Sequence, residues 1–239
     1  MGKRQEIRER RKKIKRRQRL IMVLLVSGVA LIFVALLIGP TIGQALTPVG
    51  DYVIKEFYQH PLVSGNTMGD PNAPVVIEEY SDFGCGHCAS FAETTSKQLS
   101  EEFIKTGKVR FIFHSVGGLI GSQTTPIAAE AAYCAGDQNK FWEYHDAIYA
   151  NQYQLFFADP RTDIMKFFNS FAKDLGLDTD AFQSCLEGGK YRDKVNQDEA
   201  DARKAGVDGT PTFFVNGEII RGAQPYEVFK QMIETELNQ

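Results

Sequence analysis

Two cysteines separated by two residues, Cys85 and Cys88, are the side chains of this sequence best suited to chemistry. Thiols at this spacing can close a small disulfide ring and open it again. At the start of a helix, free N–H groups and the positive end of the dipole favour an anion, so Cys85 is predicted to be the attacking thiolate. Cys88, one turn further in, is predicted to resolve the mixed disulfide that Cys85 forms.

Half of a zinc site is the alternative interpretation of this pair. Structural zinc takes about four Cys or His ligands, and the two other cysteines, Cys134 and Cys185, stand singly in the sequence. The spacing therefore favours redox chemistry. We predict no metal and no dissociable cofactor, with the Cys85–Cys88 disulfide as the redox group.

The segments around the pair predict the elements that must position it. Residues 75–80, VVIEEY, form a β-branched run that indicates a buried strand, and residues 89–103 have helical spacing. Residues 109–114 are a second strand-like run. A strand, helix, strand order implies a parallel pair with a right-handed crossover.

The rest of the chain is predicted to be a helical block followed by a hairpin and a last helix. Helical signals run from about residue 124 to 205, with Asp137 and Asp178 as possible N-caps. Asn216-Gly217 between two β-rich runs is a strong hairpin signal, and residues 225–237 form an amphipathic helix. The aromatic residues of the block are predicted to be core: Phe141, Trp142, Phe167, Phe168 and Phe171. The order of elements indicates an α/β fold.

The N-terminal region has the charge pattern of a membrane anchor. Residues 1–20 hold 11 Lys or Arg and 2 Glu, and residues 20–38 are apolar and uncharged. About 20 apolar residues can span a bilayer, and the basic flank places a tail of residues 1–19 in the cytoplasm. Residues 39–65 are predicted to be a linker to a domain at 66–239. A cleaved signal peptide and a nucleic-acid-binding tail are alternatives, and we expect no nucleic-acid partner.

Three further motifs carry a family resemblance. They are YSDF before the first cysteine (80–83), FW in the helical block (141–142) and GTPTFFVNG near the C-terminus (209–217). From about Asn66 to Leu237 the chain resembles thioredoxin-fold proteins of the DsbA-like type. That resemblance implies a thioredoxin fold with a helical insertion at about 124–205.

The resemblance also implies roles for particular residues. Pro211 would be preceded by a cis peptide bond and lie against the cysteines, where the backbone at Thr210 and Pro211 binds extended substrate. Glu79, six positions before Cys85, would be a buried acid that assists proton transfer at Cys88. The alternative for Glu79 is a surface carboxylate at a strand end.

Cys-Gly-His-Cys indicates an oxidant, because an imidazole at His87 next to Cys85 would stabilise the thiolate. We therefore expect a membrane-bound bacterial thiol–disulfide oxidoreductase with an extracytoplasmic catalytic domain. Its partners would be exported protein thiols and a membrane redox protein that re-oxidises it. A reductase or isomerase is an alternative, as is a tethered binding or chaperone module without a redox role.

Cys134 and Cys185 both have apolar neighbours at helical spacing. They could be buried free thiols. An extracytoplasmic location and an even number of cysteines favour a structural Cys134–Cys185 disulfide.

Overall fold

The computed structural model describes residues 15, 21–22, 24–25, 27–28, 31–34, 52–54, 58–117, 124–159 and 162–239. It divides into two compact units, residues 1–48 and 49–239. Most of the predicted span at 20–38 and of the basic tail lies outside the described residues. Within the described part of the chain, no helix has the length and hydropathy needed to cross a bilayer.

The second unit is built on a five-stranded sheet with the order β1-β3-β2-β4-β5. Strands β2 and β3 are parallel, as predicted, and the other neighbours are antiparallel. The predicted hairpin is confirmed, with Asn216 and Gly217 both at positive φ in its turn. The strands are β1 Thr67–Met68, β2 Val75–Ser81, β3 Val109–Ser115, β4 Thr212–Val215 and β5 Glu218–Arg221.

Nine α-helices surround this sheet within the described part of residues 49–239. They are α1 Gly86–Glu93, α2 Thr95–Leu99, α3 Thr125–Gly136, α4 Phe141–Ala150, α5 Gln152–Phe156, α6 Ile164–Asp174, α7 Thr179–Glu187, α8 Arg192–Lys204 and α9 Tyr226–Leu237. A π-helical turn, Ser100–Ile104, follows α2. The helix start predicted at Cys85 is confirmed, because Cys85 is the N-cap of α1. The continuous helical segment predicted to reach residue 103 is wrong. It is broken at Thr94, which lies outside helical geometry (φ −120°, ψ −80°) and whose hydroxyl donates to the Ser90 carbonyl at 2.7 Å.

Of the two predicted N-caps, Asp178 is confirmed, because its side chain accepts the N–H groups of Asp180 and Ala181. The prediction for Asp137 is wrong. Asp137 follows the end of α3, and its carboxylate accepts hydrogen bonds from Lys190 Nζ and Tyr191 OH, each at 2.6 Å. A partner 53 residues away therefore decides its role.

The main hydrophobic core is formed by the sheet, the helices of the insertion, and α1 and α9. The predicted aromatic residues are all buried there: Phe141, Trp142, Phe167, Phe168 and Phe171. Trp142 also donates its indole N–H to the Thr67 carbonyl at 3.3 Å, which ties α4 to β1. The insertion thus forms one hydrophobic core with the thioredoxin-type sheet.

Part of the predicted linker packs on this domain. The Tyr52 hydroxyl donates to Asp174 at 2.8 Å, and the backbone of Val53 makes two hydrogen bonds with the Asn151 side chain. His60 Nε2 lies 3.0 Å from Asp146 Oδ2. Tyr52, Val53 and His60, all within the predicted linker at 39–65, therefore make contacts with the domain.

Candidate active site

The turn between β2 and α1 places Cys85 at the N-cap of α1 and Cys88 in its first turn. The Cys85 N–H donates to the Asp82 carbonyl at 2.9 Å, which closes the turn. From α5, the Gln152 amide donates to the carbonyls of Phe83 (2.7 Å) and Cys85 (3.0 Å). The insertion therefore holds the loop that carries the first sulfur.

The two thiols have opposite surroundings. Both are free; Cys85 is half-buried and Cys88 is buried. A hydrogen bond from the Cys88 thiol is the largest cause that lowers the pKa of Cys85, to about 5, and the backbone N–H groups of His87 and Cys88 add to it. Burial, followed by the nearby Cys85, raises the pKa of Cys88 well above its ordinary value. At neutral pH the site thus holds one thiolate and one thiol.

His87 is exposed beside Cys85. Its backbone N–H, not its ring, is among the groups that lower the pKa of Cys85, after the Cys88 thiol, the Thr210 side chain and the Cys88 N–H. A contribution of the imidazole to thiolate stability stays a prediction. The Cys88 thiol supplies the largest stabilisation of the Cys85 thiolate, and the N–H groups at the helix N-terminus add to it.

The loop before β4 lies against the first cysteine. The Thr210–Pro211 peptide bond is cis, as the resemblance implies. When protonated, the Cys85 thiol can donate to the Thr210 carbonyl, which lies 3.4 Å away. A hydrogen bond from the Thr210 side chain stabilises the ionised sulfur and so lowers the pKa of Cys85. The backbone at Thr210 and Pro211 therefore borders the reactive sulfur, and its role in substrate binding stays a prediction.

Glu79 lies in β2, between Phe113 of β3 and Phe213 of β4. Its side chain is 3% exposed, which does not fit a surface carboxylate. Burial raises the pKa of Glu79 to about 8, against a smaller opposing effect of the Ser81 hydroxyl. Because the Glu79 charge in turn raises the pKa of Cys88, the carboxyl and the buried sulfur are electrostatically linked.

Three residues of the site were not singled out from the sequence: Asp82, Tyr149 and Gln152. Asp82 stands in the YSDF motif without a role of its own, and its Oδ1 accepts the Gly84 N–H at 2.8 Å. The Tyr149 hydroxyl lies 3.0 Å from Ser81 Oγ and bonds the Asp82 carbonyl at 3.4 Å. Tyr149 and Gln152 lie more than 60 residues from their partners, so no local signal identifies them.

Cys134 and Cys185 form the disulfide that their pattern predicts, with an S–S distance of 1.98 Å. It joins α3 to α7 within the insertion. Among the described residues, no group of three or more His, Cys, Asp or Glu is arranged to hold a metal ion.

Residues 63–235 match the thioredoxin family. The chain is 30% identical over 176 residues to the probable disulfide bond formation protein D of Bacillus cereus, covering 72% of this chain and 78% of that protein. It is also similar to the solved structure of α-DsbA1 from Wolbachia pipientis, with a TM-score of 0.65, 25% identity, and coverage of 75% of this chain and 94% of that one.

A further similarity covers only part of a longer protein. The Na⁺/H⁺ antiporter NhaA 1 of Salinispora arenicola is 33% identical over 168 residues, which are 70% of this chain and 24% of the antiporter. The chain therefore spans about a quarter of that relative's length. The family match, which covers most of the compact unit, identifies the fold. The chain belongs to the thioredoxin family, and within it to the DsbA-like disulfide oxidoreductases.

Proposed function

We propose that this chain is a thiol–disulfide oxidoreductase that donates its Cys85–Cys88 disulfide to protein thiols. The observation that carries the proposal is the contrast between the two sulfurs. Cys85 is half-buried with its pKa lowered to about 5, whereas Cys88 is buried with a raised pKa. Such a pair has one good leaving thiolate that substrates can reach and one thiol that stays protonated.

The reaction follows from this contrast. A client thiolate attacks Cys85 Sγ; the client–Cys85 bond forms, the Cys85–Cys88 bond breaks, and Cys88 leaves with the electron pair and takes up a proton. A second client thiolate then attacks the client sulfur and expels Cys85 as a thiolate. The client loses two electrons and the protein gains them. Glu79, protonated at neutral pH, is the proposed proton donor to Cys88.

The direction proposed is oxidation. A stabilised Cys85 thiolate favours the reduced protein over its disulfide, and a protein whose reduced form is favoured is an oxidant. The name of the Bacillus cereus relative, a disulfide bond formation protein, agrees with this direction. Reduction or isomerisation by the same site is the competing candidate, and the redox potential separates them.

Location and partners are also proposals. The uncharged run at 20–38 and its basic flank support a single-pass anchor in a bacterial membrane with the catalytic domain outside. Exported proteins would then be the clients, and a membrane redox protein would accept the electrons. A membrane-impermeant thiol reagent added to intact cells should label Cys85. Labelling that occurs only after lysis would contradict this orientation.

Trapping of mixed disulfides tests the separate roles of Cys85, which bonds to the client, and Cys88, which resolves that bond. In Cys88→Ser the resolving thiol is lost, so client-linked species should accumulate on non-reducing gels. Cys85→Ser, the matched control, should form none and should lose exchange activity. A Cys88→Ser variant that turns over normally would show that the roles are wrongly assigned. A Cys85→Ser variant with full cellular function would favour a non-redox binding module.

A further inference from the structure

Asp82 is a second buried acid at the active site, distinct from Glu79. Its side chain is 0% exposed, in the turn between β2 and α1. Its Oδ1 accepts the Gly84 N–H at 2.8 Å, while Oδ2 is buried without a hydrogen-bond partner among the described residues. Its backbone is part of the site as well, since the Asp82 carbonyl accepts the Cys85 N–H and the Asp82 N–H bonds the Cys88 sulfur.

The surroundings of this carboxyl favour its neutral form. The charged or titratable groups that face it are Cys85 in the same turn, Glu199 on α8 and Tyr149 on α4. None of these three is a cation. The Thr125 hydroxyl on α3 lies close enough to lower the pKa of Asp82, and it donates to the Gly117 carbonyl at 2.9 Å. A buried carboxylate with an unpaired oxygen and a negative neighbour is costly, and holding a proton removes that cost.

We propose that Asp82 is a redox-coupled proton-holding residue, which binds a proton when the Cys85–Cys88 disulfide is reduced and releases it when the disulfide re-forms. This proposal rests on the proposed function and adds a residue to it. Because the Cys85 charge also raises the pKa of Glu79, the experiments below separate the two carboxyls.

The proton balance is as follows. When a client dithiol reduces the disulfide, two electrons pass to the two sulfurs of the site. One client proton ends on Cys88. The other is not needed by Cys85, which stays a thiolate, and the Asp82 carboxylate takes it. When the disulfide re-forms, the thiolate charge disappears and the proton leaves Asp82.

Electrostatics supports this coupling. Burial is the main cause that raises the pKa of Asp82 to about 7 in the reduced protein. Hydrogen bonding to the Gly84 N–H and the Thr125 hydroxyl opposes this rise, and the Cys85 charge adds a smaller rise. The disulfide form lacks that charge, so its Asp82 must have a lower pKa. Between the two pKa values, the reduced protein binds more protons at Asp82 than the oxidised protein does, with one proton as the upper limit.

The pH dependence of the redox equilibrium tests the proposal. Each additional proton released on oxidation changes the equilibrium constant with glutathione by up to tenfold per pH unit. After correction for glutathione ionisation, the equilibrium constant of wild type should still change with pH just below pH 7, because Asp82 releases its proton on oxidation. In Asp82→Asn this remaining change with pH should be lost. The Asn amide oxygen can still accept the Gly84 N–H, so the turn is kept. Glu79→Gln is the matched control and should retain the Asp82 part of the dependence.

A second measurement needs no variant. With ¹³C-labelled aspartate, which leaves Glu79 invisible, carboxyl NMR of wild type should show one Asp that titrates near pH 7 when the site is reduced and at lower pH when it is oxidised. A folded Asp82→Asn protein with the wild-type pH dependence, or no Asp with a redox-dependent titration, would overturn the proposal. If the coupling is present but Cys88→Ser traps no clients, the proposed function fails and the proton coupling stands.

Discussion

Replacing Glu79 by Gln should make the protein more stable at neutral pH, although it removes a residue of the active site. In an unfolded chain this carboxyl titrates near 4.5, whereas in the folded protein burial raises its pKa to about 8. Between these values the unfolded chain has released a proton that the folded protein still holds. Folding therefore loses stability as pH rises through this window.

The size of the effect follows from the shift. One pKa unit corresponds to ~1.36 kcal/mol, and pH 7 lies about 2.5 units above the pKa of Glu79 in the unfolded chain. Burial of Glu79 therefore lowers the free energy of unfolding of wild type by roughly 3 kcal/mol at pH 7. Gln has nearly the same volume and no charge. Glu79→Gln should thus match wild type near pH 4 and exceed it by up to roughly 3 kcal/mol at pH 7.

Urea unfolding of both proteins between pH 4 and 8 measures this difference. The active site should be reduced under conditions that leave Cys134–Cys185 intact, checked by counting thiols. Glu78→Gln is the matched control on the opposite face of β2. There, hydrogen bonding to His114 at 3.0 Å lowers the pKa of the Glu78 carboxyl. Glu78→Gln should therefore be less stable than wild type at pH 7, and the difference in the free energy of unfolding should vanish as the pH falls. A Glu79→Gln difference from wild type that is independent of pH would refute the argument from burial.

Three further outcomes are expected. Replacing Cys134 and Cys185 by Ala should lower the free energy of unfolding by up to about 4 kcal/mol, because the disulfide closes a loop of 51 residues, and an unchanged urea midpoint would contradict this. Asn216→Ala should lower the free energy of unfolding by about 2 kcal/mol, since the Asn216 side chain accepts the Val76 N–H at 2.8 Å and the residue has φ +47°. Asn216→Gly loses the same hydrogen bond but tolerates the positive φ, so it should lower the free energy of unfolding by less. Alkylation of Cys85 by iodoacetamide should rise with pH around a midpoint near 5, and a midpoint near 8 would contradict the thiolate assignment.

Features that depend on neighbouring residues could be predicted from the sequence. The hairpin turn at Asn216-Gly217 needs only residues that tolerate positive φ. The place of Cys85 at a helix start follows from a strand, a turn and a helical pattern in one continuous segment. The family resemblance added the cis bond before Pro211 and the burial of Glu79.

Features that depend on distant residues could not be predicted. Asp137 has the composition of an N-cap, yet Lys190 and Tyr191 decide what it bonds. Asp82 has the composition of a turn, and only the packing of Tyr149 and α8 around it shows that it is a buried acid. Local patterns identify the sulfur chemistry, while the proton chemistry depends on the tertiary fold.

The redox equilibrium of the Cys85–Cys88 pair with glutathione tests the central claim most directly. The proposal that the stabilised Cys85 thiolate makes this protein an oxidant predicts a potential well above the −270 mV of thioredoxin, in the range from about −180 to about −120 mV, and a reduced form that is more stable to urea than the oxidised form. A potential near −270 mV, with the oxidised form the more stable, would contradict the oxidase assignment and favour a reductase.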